Sequence, residues 1–245
     1  MGSRTAVGIV SPGTLGSELG ALARDLGAQV WWASDRRSPR TARLAKRARL
    51  NNAGTLEAIV NRCTVIVSAV PAAEAENVAQ AVARLRFNGL YLELNALPPS
   101  RIWRIAATIR AGGGSLVDAA LDGPPPLLPG STRMLLSGPR AAEAAALFTG
   151  SSLLETKVLD ETVGMACAWK SLQAAYARGS VALLAALLRP DPAPPAAAEP
   201  PAADARVHET GFFPRSTMDL YRRLGEREDA AALHALKATL EALRE

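Results

Sequence analysis

The stretch Ala6-Val-Gly-Ile-Val-Ser-Pro-Gly-Thr-Leu-Gly-Ser-Glu-Leu-Gly20 decides how the rest of the chain is read. Ala6 to Val10 is an apolar run with the character of a buried strand. Ser11-Pro12-Gly13 is a tight turn, and an amphipathic pattern begins near Thr14. Leu15, Leu19, Leu22 and Leu26 then recur at steps of four, three and four, and Gly27 closes the helix they mark. A helix N-terminus facing such a turn presents free N–H groups and the positive end of the helix dipole, an arrangement that favours an anion.

The turn carries an incomplete dinucleotide fingerprint, G-x-G-x-x-G, as Ser11-Pro12-Gly13-Thr14-Leu15-Gly16. Gly13 lets the backbone approach a pyrophosphate, and Gly16 lets the helix pack close to the strand. Ser11 replaces the first glycine of the pattern. The alternative is an ordinary strand-to-helix turn.

Working outward, Ala28–Ala33 is a second strand and Thr41–Arg49 a basic helix, followed by a short helix over Thr55–Asn61. The β-branched run Thr64–Val70 is a strand stopped by Pro71, and Val78, Val82 and Leu85 mark a helix. Gly89–Leu94 is a strand and Ser100–Ala111 a helix broken by Gly112-Gly113-Gly114. Strands follow at Ser115–Ala119, Thr132–Leu136 and Ser151–Leu159, with a helix over Arg140–Phe148. Strands alternating with helices through short loops predict an α/β fold, a doubly wound and mostly parallel Rossmann-type sheet. Ligands bind at the carboxyl ends of the strands in such sheets, where the Ser11-Pro12-Gly13 turn lies.

The pattern changes after Leu159. Glu161–Leu188 reads as one long helix, 190–203 as an exposed loop rich in Pro and Ala, and Met218–Arg223 and Glu228–Arg244 as further helices. The expected organisation is a nucleotide-binding domain over 1–159 and a small all-α domain over 160–245. The substrate is expected in the cleft between them, and a homodimer is expected to form through the helical part.

Composition narrows the function classes. Of 245 residues 49% are hydrophobic, enough for a real core, and the net charge of +5 is spread out, without a basic run interleaved with aromatics. No nucleic-acid partner is expected. Cys63 and Cys167 have no metal-ligand spacing and read as two buried thiols of a reducing compartment. The first residues lack a signal-peptide pattern, and no apolar run reaches the ~18 residues of a membrane span. A soluble, cytoplasmic protein without a metal and without membrane contact is the expectation.

The cofactor's ribose is expected at the end of the second strand, in Ala33-Ser34-Asp35-Arg36-Arg37-Ser38. A carboxylate at the strand end suits NAD. Here Ser34 stands there, followed by Arg36, Arg37 and Ser38, and a guanidinium pairs with phosphate in a bidentate way. That favours NADP (NADPH). A one-residue shift would put Asp35 on the ribose and favour NAD. Val70-Pro71 is placed to wall the cofactor, and Asn95, at the end of the next strand, either contacts cofactor or substrate or caps a turn. Asp118, Asp122 and Gly123 flank a further strand end, with a turn role as the plain alternative for Asp122. Lys170 lies among small and apolar neighbours in the long helix. A lysine there either snorkels to the surface or, desolvated, has a lowered pKa and serves as a general acid–base.

Taken together these segments resemble the β-hydroxyacid dehydrogenases, the superfamily of 6-phosphogluconate and 3-hydroxyisobutyrate dehydrogenases, and most nearly a branch with a short 6-phosphogluconate dehydrogenase-like C-terminal domain. The resemblance runs from Val7 to about Leu188. It is carried by Gly8–Gly16, by Ser34–Thr41, by Glu93–Pro98 as the loop meeting the nicotinamide, by Val117–Gly123 as the substrate segment, and by Gly164–Lys170 as the helix with the catalytic lysine. It implies hydride transfer between an NADP nicotinamide and a small hydroxy or keto substrate, hydroxy acid-like, with Lys170 as acid–base. The chain departs from the family at Asp122, where serine is common, at Pro124 and Ala166, where glycine is usual, and at Ala174, where members acting on acids carry asparagine. An imine reductase on the same fold is the alternative enzyme. A cofactor-binding sensor or scaffold without turnover is the alternative of another class.

Overall fold

The computed structural model describes residues 5–123, 126 and 129–187. The expected loop at 190–203, the two later helices and Pro124 lie outside the described residues. The described residues through Leu172 belong to one compact unit, and those from Gln173 onward to another.

Eight strands make one sheet: β1 Ala6–Ile9, β2 Gln29–Trp32, β3 Asn51–Asn52, β4 Val65–Ser68, β5 Leu90–Glu93, β6 Ser115–Asp122, β7 Thr132–Ser137 and β8 Leu154–Asp160. Their order is β3-β2-β1-β4-β5-β6-β7-β8. The first six are parallel, with the order reversing beside β1, as in a Rossmann fold. β7 runs antiparallel to β6, and β8 parallel to β7. The Rossmann-type α/β fold expected from the sequence is the fold found.

The helices are α1 Thr14–Asp25, α2 Pro39–Arg47, α3 Leu56–Arg62, α4 Ala75–Arg84, α5 Pro99–Ala111, α6 Ala141–Ala146 and α7 Met165–Leu187. They cover both faces because the strands alternate what they present. Val65, Val67, Leu90, Leu92 and Val117 pack with Leu19 and Leu22 of α1 and Ala144 of α6. Ile66, Tyr91 and Leu116 pack on the other face with Ile59 of α3, Val82 of α4, and Ile102, Ile105 and Ile109 of α5.

The sequence reading missed β3, because two exposed asparagines carry no apolar pattern; Ala53 N–H continues the pairing to the Trp32 carbonyl. It also ended β6 at Ala119, whereas the antiparallel pairing with β7 carries it to Asp122. The long helix starts at Met165, later than Glu161. Asp160 Oδ1 accepts Thr162 N–H at 2.6 Å in a turn, and Gly164 is left-handed at φ +100°. A side chain on Gly164 would meet the Trp103 indole, which donates to the Val163 carbonyl at 2.9 Å.

Candidate active site

At the carboxyl end of β1, Gly13 N–H donates to the Ser11 carbonyl at 2.9 Å, closing the turn, and Gly13 is the N-cap of α1. No side chain caps this helix and its first turn holds no acid. A Cβ on Gly13 would meet nothing within 4 Å, so the space before the helix N-terminus is open. A Cβ on Gly16 would stand 2.5 Å from the Ser11 carbonyl oxygen. The two glycines thus do different things: one leaves the approach free, the other lets α1 lie on β1. Pro12 is buried, Ser11 and Leu15 are half-buried, and Thr14 is exposed.

The turn after β2 places the second expected group. Arg37 N–H donates to the Ser34 carbonyl at 3.2 Å, and Arg36 is left-handed at φ +57°, a conformation glycine takes at less cost. The Arg36 side chain is 92% exposed and lies 3.9 Å from Asp35, a contact too exposed to hold it. Arg37 is half-buried, and its Nε is buried without a hydrogen-bond partner. Ser38 caps α2, accepting Thr41 N–H at 3.2 Å. Val70 is buried at the end of β4 and Pro71 is exposed beside it.

The sequence reading did not foresee how the next strands line up. Ser68 of β4 is in register with Glu93 of β5, Glu93 with Asp118 of β6, and Asp118 with Ser137 of β7. All four are fully buried. They form one polar row across β4, β5, β6 and β7. Glu93 Oε1 accepts Asn95 N–H at 2.9 Å and also the Asn95 side-chain amide. Burial pushes the Glu93 carboxyl up to about 7 against these hydrogen bonds, and the Asp118 charge adds to the rise. Tyr91 OH, Ser68 Oγ and Glu93 Oε2 are buried alongside; Ser68 lies near enough to lower the pKa of both others, but no pair has the geometry of a formed hydrogen bond.

The row meets the start of α7. Asp118 Oδ2 accepts Cys167 N–H at 2.9 Å and Ser137 Oγ–H at 3.2 Å, and Asp118 Oδ1 accepts the Cys167 thiol at 2.8 Å. Ser137 Oγ in turn accepts Ala166 N–H at 3.1 Å. The Cys167 sulfur also lies 3.4 Å from the Asn95 carbonyl oxygen. Asp118 therefore faces the helix N-terminus, and its carboxyl is raised by burial against the pull of these donors.

One turn further along α7, Lys170 is half-buried and its Nζ donates to the Leu121 carbonyl at 2.6 Å, at the end of β6. Burial lowers its pKa, and the neighbouring Asp122 carboxylate partly restores it. Asp122 Oδ1 is buried without a hydrogen-bond partner. Gly123 is left-handed at φ +109°, with the Ser131 carbonyl oxygen 2.2 Å from where a Cβ would sit, so the strand end turns where only glycine fits. Lys170 and Asp122 are thus brought together at the end of β6, Asp118 lies beneath the start of α7, and Ala174 lies further along that helix. Ser68, Glu93, Ser137 and Cys167 went unnoticed as a group. The one sequence signal, for Ser68 and Glu93, is a polar residue at the last position of an otherwise apolar strand. Among the described residues no cluster of His, Cys, Asp and Glu could hold a metal ion, and no helix is long and apolar enough to cross a membrane.

No sequence-family model and no curated protein matches the chain. Solved structures do. The conserved protein MTH1747, of unknown function and structurally similar to 3-hydroxyacid dehydrogenases, matches with TM-score 0.67 and 27% identity over 75% of this chain and 68% of that one. An imine reductase from Bacillus cereus matches with TM-score 0.61 and 17% identity over 75% of this chain and 64% of that one. A reductive aminase from Aspergillus terreus, solved with NADPH and ethyl levulinate, matches with TM-score 0.63 and 19% identity over 99% of this chain and 76% of that one. The chain spans about two thirds of the length of the first two. By sheet order and by its likeness to these structures, the chain has the Rossmann-type fold and is similar to a protein that itself resembles the 3-hydroxyacid dehydrogenases.

Proposed function

We propose that this protein is an NADP(H)-dependent oxidoreductase acting on a small hydroxy or keto substrate, with Lys170 as its general acid–base. The observation that carries the reading is Lys170 itself: a desolvated amine at the carboxyl end of β6, on the sheet whose β1 end holds an uncapped, acid-free helix N-terminus. The residues fit a dinucleotide. The open space at Gly13 admits a pyrophosphate to the N–H groups of α1. The unpartnered Arg37 Nε, with Ser34 and Ser38, suits a 2′-phosphate. Val70, Pro71 and Asn95 border the nicotinamide end.

The nicotinamide supplies the hydride chemistry when bound. The chain's own part is to orient it and to move a proton. Lys170 Nζ gives a proton to the carbonyl oxygen in the reducing direction and takes it from the hydroxyl in the other. A lowered pKa makes the neutral amine easier to reach, as an acid–base group requires. Asp122 holds the amine's charge in balance and offers a carboxylate to a substrate hydroxyl or amine. That carboxylate also supports a second reading, an imine reductase, because it would steady an iminium and offset the Lys170 cation. We also propose a homodimer. Leu172 and Tyr176, one turn apart on α7, are each 70% exposed, an apolar face suited to a second copy.

The test is NADPH consumption against a panel of carbonyl compounds and imines. Consumption on the carbonyl compounds supports the first reading, and consumption on imines alone the second. Saturable NADPH binding without turnover on any of them would make the protein a sensor.

A further inference from the structure

We infer that Asp118 is a positioning residue for Lys170, acting through the N-terminus of α7 with Ser137 and Cys167 as its intermediaries. The inference rests on the reading of Lys170 as the acid–base group.

The first N–H groups of a helix have no partner within it. At the start of α7, those of Ala166 and Cys167 are taken up by Ser137 Oγ and Asp118 Oδ2, side chains from β7 and β6. Asp118 also accepts from Ser137 Oγ, so the two acceptors brace each other. The cap is tertiary: strands far away in sequence cap the helix. Ala166 and Cys167 are both buried, so these N–H groups have no access to water in place of the cap.

The same strand holds the helix at a second point. Asp118 and Leu121 are three residues apart on β6, and they receive Cys167 and Lys170, three residues apart on α7. Residues three apart on a helix lie on neighbouring positions of one face. The lysine thus reaches the Leu121 carbonyl only while the helix start stays seated on Asp118. The Cys167 sulfur carries the same seat to the Asn95 carbonyl at the end of β5. Asp118 acts by geometry, since the charged neighbour that shifts Lys170 is Asp122.

The test reads the Lys170 amine and needs no substrate. The full chain is acetylated with acetic anhydride over a range of pH, and the extent at Lys170 is read by peptide mass spectrometry. Asp118→Ala removes every acceptor and is expected to move the Lys170 midpoint upward by about one pH unit, towards that of a free lysine. Asp118→Asn keeps an acceptor for Cys167 N–H and is expected to leave the midpoint where it is. An unmoved midpoint in a folded Asp118→Ala overturns the inference, and so does an Asp118→Asn shift as large as that of alanine, which would make charge the cause. If Asp118→Ala does not fold, Ser137→Ala takes its place with a smaller upward shift expected, and an unmoved midpoint there overturns it equally. Turnover is not read, so a substrate panel that fails against Lys170 leaves this result standing on its own.

Discussion

Asp118 and Cys167 lie 49 positions apart in the chain and are joined twice, by the Cys167 N–H at 2.9 Å and by its thiol at 2.8 Å. A carboxylate on the sixth strand thus caps the helix that carries Lys170. The charge sits at the positive end of the helix dipole, where it is favourable.

The two turn glycines separate stability from binding. Gly16→Ala would force a Cβ to within 2.5 Å of the Ser11 carbonyl oxygen. It is expected to cost about 1–3 kcal/mol in chemical denaturation and to weaken NADPH binding as well. Gly13→Ala meets nothing within 4 Å and should leave the unfolding midpoint nearly unchanged. It should weaken NADPH binding severalfold in a fluorescence titration, because the added methyl occupies the approach to the N–H groups of α1.

Arg37 decides between the two nicotinamide cofactors. Arg37→Ala is expected to lower NADPH affinity at least tenfold and to leave NADH affinity within a factor of two or three, about what loss of a charge-assisted pair gives. Titrating both cofactors into both proteins checks this. An unchanged NADPH preference would return the ribose contact to Asp35.

Glu93 makes stability depend on pH. Its carboxyl is raised by burial to about 7 in the fold, against an ordinary 4.5, so between those values the folded chain holds a proton that the unfolded chain has released. Stability from this group is full below about 4.5 and falls as pH rises towards 7. Glu93→Gln keeps the acceptor for Asn95 and removes the titration. It should be more stable than the parent at pH 8, by on the order of 2 kcal/mol, with the gap closing towards pH 5. Asp118, raised in the same direction, leaves a residual slope. Urea unfolding at the two pH values measures it.

The exposed face of α7 gives the fourth expectation. Sedimentation at micromolar concentration should show a dimer, and Leu172→Asp with Tyr176→Asp should give a monomer. A monomeric parent would remove the proposed assembly without touching the proposed chemistry.

The parts of the fold that local pattern controls were legible in the sequence. The β1–turn–α1 unit was readable because its apolar run, its glycines and its leucine stripe are contiguous. Six further strands, β2 and β4 to β8, were also found. β3 was not, since Asn51 and Asn52 have no pattern and pair only because β2 lies beside them. The polar row could not be read for a similar reason. Ser68, Glu93, Asp118 and Ser137 are each visible singly, but only strand order and register put them side by side. Asp118 looked like a ligand contact because the sequence pattern ends its strand at Ala119, whereas β6 runs on to Asp122. Its role beneath α7 depends on where a helix nearly fifty residues later begins. Lys170 was noticed for its apolar neighbours, and burial of that helix face is what lowers its pKa.

The most direct measurement of the central claim is the rate of NADPH oxidation on the best carbonyl substrate of the panel, by the parent and by Lys170→Ala, with NADPH affinity measured in both. The account predicts unchanged NADPH affinity and a rate reduced at least about a hundredfold, the scale of a lost general acid. A Lys170→Ala variant that oxidises NADPH as fast as the parent would contradict it.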